Sequence, residues 1–137
     1  MVWRRGRALF LPIAALVAVL AIAGCGRNDF KNDPRPPIPA EVSVKIGSGG
    51  VVVSPKEFGA GLVNFTAANL TNQTGSLAIH GPVNANSDSI APGDTLTIKV
   101  QMKTGSYEAG ADGISVRPFR FTVGPERPSA QNQLLLP

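Results

Sequence analysis

The amino-acid sequence predicts an all-β domain, a Greek-key β-sandwich of about seven short strands. Between residues 41 and 124, apolar and polar residues alternate in short runs, which is the two-residue period of a strand with one buried face. Gly, Pro, Asn and Thr separate these runs, as expected for turns between strands. No long 3.6-residue apolar period indicates a helix in this region, so the sequence favours a sandwich.

The first strands follow from these runs in order. Residues 41–46 place three aliphatic side chains on one face, and residues 51–54 form a second β-branched run that stops at Pro55. Residues 56–61 are predicted to be a turn region because they contain two glycines. Residues 62–69 alternate again and predict a third strand.

The second half of the domain continues this pattern. Residues 77–79 form a short strand, and residues 83–92 form a polar loop. The clearest strand is 95–102, where Leu, Ile, Val and Met alternate with polar residues. Residues 106–107 follow a glycine turn, and residues 119–123 place two phenylalanines and a valine on one face of a last strand.

A leader precedes this domain. Residues 1–24 combine a basic segment, Trp3–Arg7, with an uncharged apolar run from Ala8 to Ile22 that is interrupted only by Pro12. This run is shorter than the roughly 20 apolar residues that a membrane-spanning helix needs. The three-part pattern predicts a cleaved signal helix.

The apolar run ends in Ile22-Ala23-Gly24-Cys25, an aliphatic residue and two small residues before the only cysteine. This motif resembles the lipobox of bacterial lipoproteins. The resemblance implies a diacylglyceryl group, with its palmitate-type chains, on the Cys25 sulfur and cleavage just before that residue. An uncleaved membrane anchor and an ordinary signal peptide cut nearby are the alternatives.

Charge disfavours a nucleic-acid partner once the leader is set aside. The whole chain carries a net charge of +4, but three of its thirteen basic residues are Arg4, Arg5 and Arg7. Cleavage before Cys25 leaves ten basic and nine acidic residues, without a basic cluster. The single cysteine cannot form an internal disulfide.

Two segments flank the predicted domain at 41–124. Residues 25–40 consist of the lipidated cysteine and a stem with Pro34, Pro36, Pro37 and Pro39. Residues 26–40 reach at most about 45 Å in extended polyproline geometry, which suits a spacer. Residues 125–137 are predicted to be a flexible tail.

An ordered series of segments runs through the domain. They are Val53-Ser54-Pro55 before residues 61–66, then Asn69, then Ile90-Ala91-Pro92-Gly93-Asp94-Thr95, then Thr104-Gly105-Ser106-Tyr107-Glu108, and finally Phe119 to Gly124. This series resembles the cupredoxin-like fold family over roughly residues 41–124. An immunoglobulin-like sandwich is the alternative.

The sequence departs from that family at the copper ligands. A type 1 copper site uses two imidazoles, a thiolate and usually a weak thioether. The only cysteine is Cys25, Ala109–Ala111 occupies the family's cysteine region, and Ser76 lies near its first histidine. A second histidine does not exist, because His80 is the only one. We therefore expect no bound copper and no other cofactor.

His80 and Met102 are the weak candidates for a metal role, which would need ligands from a partner or a second copy. Catalysis is not expected, because Ser76, Ser87 and Ser89 lack a nucleophile motif. We expect a lipoprotein on the extracytoplasmic face of the cell membrane. Its metal-free domain would serve as a binding or structural module for an unidentified envelope protein; a copper-handling or redox accessory protein is the alternative.

Overall fold

The computed structural model describes residues 35–129, which form eight strands and no helix. The leader and Cys25 therefore lie outside the described residues. The strands are β1 (Ala40–Gly47), β2 (Gly50–Ser54), β3 (Glu57–Asn69), β4 (Ser76–His80), β5 (Ala85–Asn86), β6 (Thr95–Met102), β7 (Gly105–Asp112) and β8 (Phe119–Glu126). Within this range no helix is long and apolar enough to cross a bilayer.

The strands form two sheets that share β3. The first sheet has the order β2-β1-β3-β6, and the second has the order β3-β8-β7-β4-β5. Residues 57–60 of β3 pair with β8, whereas residues from Gly61 onward pair with β6. Gly61 has a φ of 122° at this change of sheet, a backbone conformation that favours glycine. The predicted all-β sandwich is confirmed.

The pairing within the sheets is mixed. β3 runs parallel to β1 and to β8, and the other pairs are antiparallel. The connections β3–β4, β5–β6 and β6–β7 each pass from one sheet to the other. These crossings place strands that are distant in sequence side by side, so the core depends on long-range contacts.

The predicted apolar faces point into the space between the sheets. Phe65 and Val123 have no exposed surface, and Phe121 is almost fully buried. Four ring pairs connect Phe58, Phe65, Phe121 and Tyr107 across the core, with the Tyr107 and Phe121 rings stacked 5.4 Å apart. Alternation in the sequence thus identified the side chains that hold the two sheets together.

Two sequence predictions were wrong in detail. Residues 56–61 are not a turn region, because β3 begins at Glu57 and pairs with Thr122 of the second sheet. The predicted loop 83–92 contains the short strand β5, which pairs with β4. Tertiary pairing supplies the partners that local composition did not indicate. The eight strands agree with the prediction of about seven.

The sandwich has two ends. We call the end that contains Ala40, Gly61 and Met102 the stem end, because β1 follows the proline-rich stem there. The far end contains the turn 47–50 and Asn69, which pairs in register with Ile46 at the other end of β1. The eight residues of β1 separate the two ends by about 26 Å.

Candidate functional site

The outer face of the second sheet carries one row of charged and titratable side chains. His80 on β4 pairs in register with Glu108 on β7, and Glu108 pairs with Arg120 on β8. Tyr107 and Phe121 are buried on these strands, so alternation turns their neighbours Glu108 and Arg120 outward. Three adjacent strands therefore present the His80–Glu108–Arg120 row to solvent.

Arg120 and Glu108 form an exposed ion pair within this row. Arg120 Nε donates to Glu108 Oε2 at 3.3 Å, and the side chains are 89% and 40% exposed. Such a pair contributes little to stability because water screens it. The other carboxylate oxygen of Glu108 and both ring nitrogens of His80 have no hydrogen-bond partner among residues 35–129. These groups can therefore bind a ligand.

A shallow groove of about 570 Å³ follows this row. Its lining residues are His80, Gly81, Ser106, Tyr107, Glu108, Arg120, Phe121 and Thr122. Gly81 allows the backbone to pack closely against β7 at the base of the groove. A β-carbon there would lie 2.4 Å from Tyr107 Cδ1 and 2.9 Å from the Ser106 carbonyl oxygen. The groove can therefore offer an imidazole, a carboxylate, a guanidinium and hydroxyl groups to a partner.

The two weak metal candidates have different surroundings. His80 is exposed on the outer face of the second sheet. Met102 is 2% exposed and lies opposite Gly61 in the first sheet, where it packs in the core. The cross-strand neighbour of His80 is Glu108 rather than Met102.

The family's first-histidine position, near Ser76, lies at the other end of β4 from His80, whereas its cysteine region, Ala109–Ala111, lies opposite residues 77–79. Ser76 pairs with Asp112, and Leu77 pairs with Ala111, so these positions meet on the neighbouring strands β4 and β7. His80 is four residues farther along β4, a distance of about 13 Å along the strand. His80 therefore does not occupy the ligand region near Ser76.

Ser87, one of the serines considered for catalysis, has structural contacts. Ser87 Oγ accepts a hydrogen bond from the Leu77 amide at 2.9 Å and donates to the Asp88 carbonyl at 2.7 Å. These bonds fix the loop before β6 against β4. Within residues 35–129, no three His, Cys, Asp or Glu side chains are grouped so that they could hold a metal ion.

Asn69 is a fully buried polar residue, and the sequence did not predict its hydrogen bonds. Its Nδ2 donates to the carbonyls of Gln73 at 2.7 Å and Ile90 at 2.9 Å. Its Oδ1 accepts from the amide of Thr71 at 3.0 Å and from the hydroxyl of Thr71 at 2.7 Å. One amide side chain thereby connects the loop after β3 with the segment before β6.

Alternation alone could have indicated Glu108 and Arg120. Arg120 alternates with apolar residues on the predicted strand 119–123, and Glu108 directly follows the aromatic Tyr107, so outward side chains were readable from the sequence. Their pairing with His80 was not readable, because strand register and order are properties of the tertiary fold. The row is therefore a structural finding.

Comparisons with known proteins give weak likenesses. No protein-family profile and no curated protein sequence matches the chain. One similar solved structure is described as a heme-copper terminal oxidase dimer, at 13% identity and a TM-score of 0.44, covering 84% of this chain and 92% of that one.

A second similar structure is the Cu-containing nitrite reductase (NirK) from Thermus scotoductus SA-01. It has 18% identity and a TM-score of 0.39, and the match covers 74% of this chain and 30% of the reductase chain.

Proposed function

We propose that the protein is a lipoprotein tethered by Cys25 to the extracytoplasmic face of the cell membrane. The single observation that carries this proposal is the motif Ile22-Ala23-Gly24-Cys25 at the end of a basic and then apolar leader. Two acyl chains of a diacylglyceryl group anchor a protein stably, whereas a single chain binds only marginally. The described domain begins β1 at Ala40, which leaves the stem between it and the proposed anchor.

The tethered domain is proposed to be a cupredoxin-like module without a type 1 copper site. The ligand positions suggested by the resemblance carry Ser76 and Ala109–Ala111, none of which supplies an imidazole or a thiolate. Met102 is buried in the core, which supports a packing role for its thioether. In this proposal the domain has no catalytic activity and no cofactor.

The module is proposed to bind an envelope protein at the His80–Glu108–Arg120 row. The row offers an imidazole without a hydrogen-bond partner in the described residues, a carboxylate oxygen and an exposed guanidinium next to a shallow groove. Mixed charge of this kind suits a polar protein surface better than the uniform negative charge of a nucleic acid.

The anchor is tested by replacing Cys25 with serine and fractionating the cells. Cys25→Ser should move the protein out of the membrane fraction and prevent labelling by a fatty-acid probe. Asn28→Ser, in the stem but outside the motif, is the matched control and should stay in the membrane. Membrane retention and labelling of Cys25→Ser equal to the control would refute the lipid anchor.

A metal-handling accessory role is the second candidate function, and the exposed position of His80 beside Glu108 favours it. Both side chains offer ligand atoms without partners in the described residues, and a partner protein or a second copy of the chain would complete the coordination. Imidazole and carboxylate together suit Cu²⁺ or Zn²⁺.

Copper titration of the purified, detergent-solubilised chain separates the two functions. Metal handling requires stoichiometric uptake at low micromolar copper that His80→Gln abolishes and Met102→Leu leaves unchanged, because Met102 is buried. Absence of uptake by the unmodified chain would remove this second candidate and leave the metal-free module.

A further inference from the structure

Arg127, just beyond β8, holds three main-chain carbonyl groups. Its Nε donates to Ala60, and its two terminal nitrogens donate to Ile38 and Leu62. These acceptors belong to the stem and to both sides of the corner in β3. The planar guanidinium fork suits such a set, because its donors point in fixed directions. Arg127 therefore fastens the end of the stem to the sandwich.

Further contacts extend this attachment along the stem. Ser129 Oγ donates to the carbonyl of Arg35. A β-carbon built on Gly61 would lie 3.6 Å from Pro37 Cγ and 3.0 Å from Arg127 Nη2, so the stem and the arginine pack directly over this glycine. Residues 35–38 and 127–129 thus form one layer, which we call the stem latch.

The stem latch shortens the part of the stem that can act as a free spacer. Without it, residues 26–39 would reach about 43 Å from the anchor in extended geometry. With residues 35–39 held against the domain, only residues 26–34 remain, and nine residues can span at most about 28 Å. The latch also fixes where the spacer leaves the domain, namely at the stem end.

The stem end presents side chains that suit a phospholipid surface. Ile38 is 63% exposed although it is a large aliphatic residue. Lys103, directly after Met102, is exposed at the same end, and Arg127 has no carboxylate partner among the described residues. Glu126 is the neighbouring acid on the chain. An exposed aliphatic group beside cationic groups matches the boundary between anionic headgroups and acyl chains.

We infer that the stem end rests on the bilayer surface, with Ile38 at the headgroup boundary and the far end directed away. This inference rests on the Cys25 anchor proposed above. The short spacer brings the stem end within reach of the bilayer, and the latch gives the domain one orientation on it. The second-sheet groove then stands beside the bilayer rather than facing it.

Tryptophan fluorescence on vesicles tests this orientation. Trp3 is the only tryptophan and lies in the predicted leader, so the mature chain has no tryptophan fluorescence of its own. Ile38→Trp reports the stem end, and Leu70→Trp is a matched control at the far end, since Leu70 is 61% exposed. Each lipidated variant is reconstituted into phosphatidylglycerol and phosphatidylethanolamine vesicles with acyl chains brominated near the headgroup.

Ile38→Trp should lose most of its fluorescence on brominated vesicles and shift to shorter wavelength, whereas Leu70→Trp should keep its intensity. Equal quenching of the two probes, or none at either, overturns the orientation in a protein that still sediments with the vesicles. Failure of the unmodified chain to sediment with vesicles instead refutes the lipid anchor itself, so the two failures are distinguishable.

A second probe tests the stem latch. Lys103→Trp lies on the domain rather than on the stem, and it should be quenched while the latch is closed. Adding Arg127→Gln or Arg127→Lys should reduce this quenching alike, because neither side chain has the three separate nitrogens with which arginine reaches the three carbonyls. Unchanged quenching in both double variants, or full quenching restored by lysine alone, would show that the latch does not set the orientation.

Discussion

Replacing Asn69 by alanine should be among the most destabilising single changes in this domain. Asn69 has no exposed surface, and its side chain makes four hydrogen bonds. Its main chain makes two more to the turn before β6, since its amide donates to Asp94 and its carbonyl accepts from Gly93. The alanine variant removes the four side-chain bonds and leaves a small gap behind them.

The size of the loss in the free energy of unfolding depends on which hydrogen bonds the former partners of Asn69 retain. The Ile90 carbonyl still accepts from the Gly75 amide at 3.2 Å, and the Gln73 carbonyl still accepts from the Thr71 hydroxyl at 3.1 Å. Four bonds at about 1 kcal/mol each set the upper end of the cost. Because Thr71 is half-buried and can turn partly to water, we expect a loss of about 2–3 kcal/mol in the free energy of unfolding.

Urea unfolding of the mature chain followed by circular dichroism measures this loss, with the slope against urea concentration unchanged. The midpoint temperature of thermal unfolding should fall by about 4–8 °C for each kcal/mol lost from the free energy of unfolding in a domain of this size. Asn72→Ala is the matched control, because Asn72 is exposed and has no hydrogen bond in the described residues, and it should stay within about 0.5 kcal/mol of the unmodified chain.

Asn69→Asp sharpens the test because aspartate has nearly the same shape. It keeps an acceptor for Thr71 but turns a carboxylate oxygen toward the carbonyls of Gln73 and Ile90. We expect it to be at least as destabilising as Asn69→Ala at neutral pH. If both variants match Asn72→Ala in stability, the hydrogen-bond argument for Asn69 is wrong.

Three further changes are expected to separate core contacts from surface contacts in the same unfolding assay. Tyr107→Phe removes a hydroxyl that donates to the Lys103 carbonyl at 2.9 Å and accepts from its amide at 3.2 Å, and should cost about 1–2 kcal/mol; no loss would contradict that role. Gly81→Ala places a β-carbon 2.4 Å from the Tyr107 ring and should cost about 1–3 kcal/mol; a neutral result would mean that the groove floor yields freely. Arg120→Gln breaks the exposed pair with Glu108 and should change stability by less than about 0.5 kcal/mol, so a larger loss would show that the row is structural.

Strands with one buried face could be predicted from the sequence because alternation records which side of the sheet meets the core. Residues 95–102 and 119–123 are examples, and their apolar side chains lie inward as expected. The start of β3 could not be predicted, since its glycines indicate a turn locally. Its strand conformation depends on pairing with Thr122, which is distant along the chain.

Residues at the candidate site were less predictable for a related reason. His80, Glu108 and Arg120 become neighbours only through the register of three strands, and no local pattern specifies that register. Arg127 lies in the segment predicted to be a flexible tail, where no alternation indicates structure. Its three carbonyl acceptors come from the stem and from β3, so its role depends on the closure of the whole domain.

The far end of the sandwich is held by side-chain hydrogen bonds rather than by any ligand set. Asn69 connects the loop after β3 to the segment before β6, and these two segments also exchange main-chain bonds between Gly75 and Ile90. The positions that the resemblance assigns to copper ligands begin directly after this loop, at Ser76. Asn69 already fixes this loop through its hydrogen bonds, which is compatible with the metal-free module proposed above. On a domain oriented by its stem end, this rigid far end is the surface directed away from the bilayer.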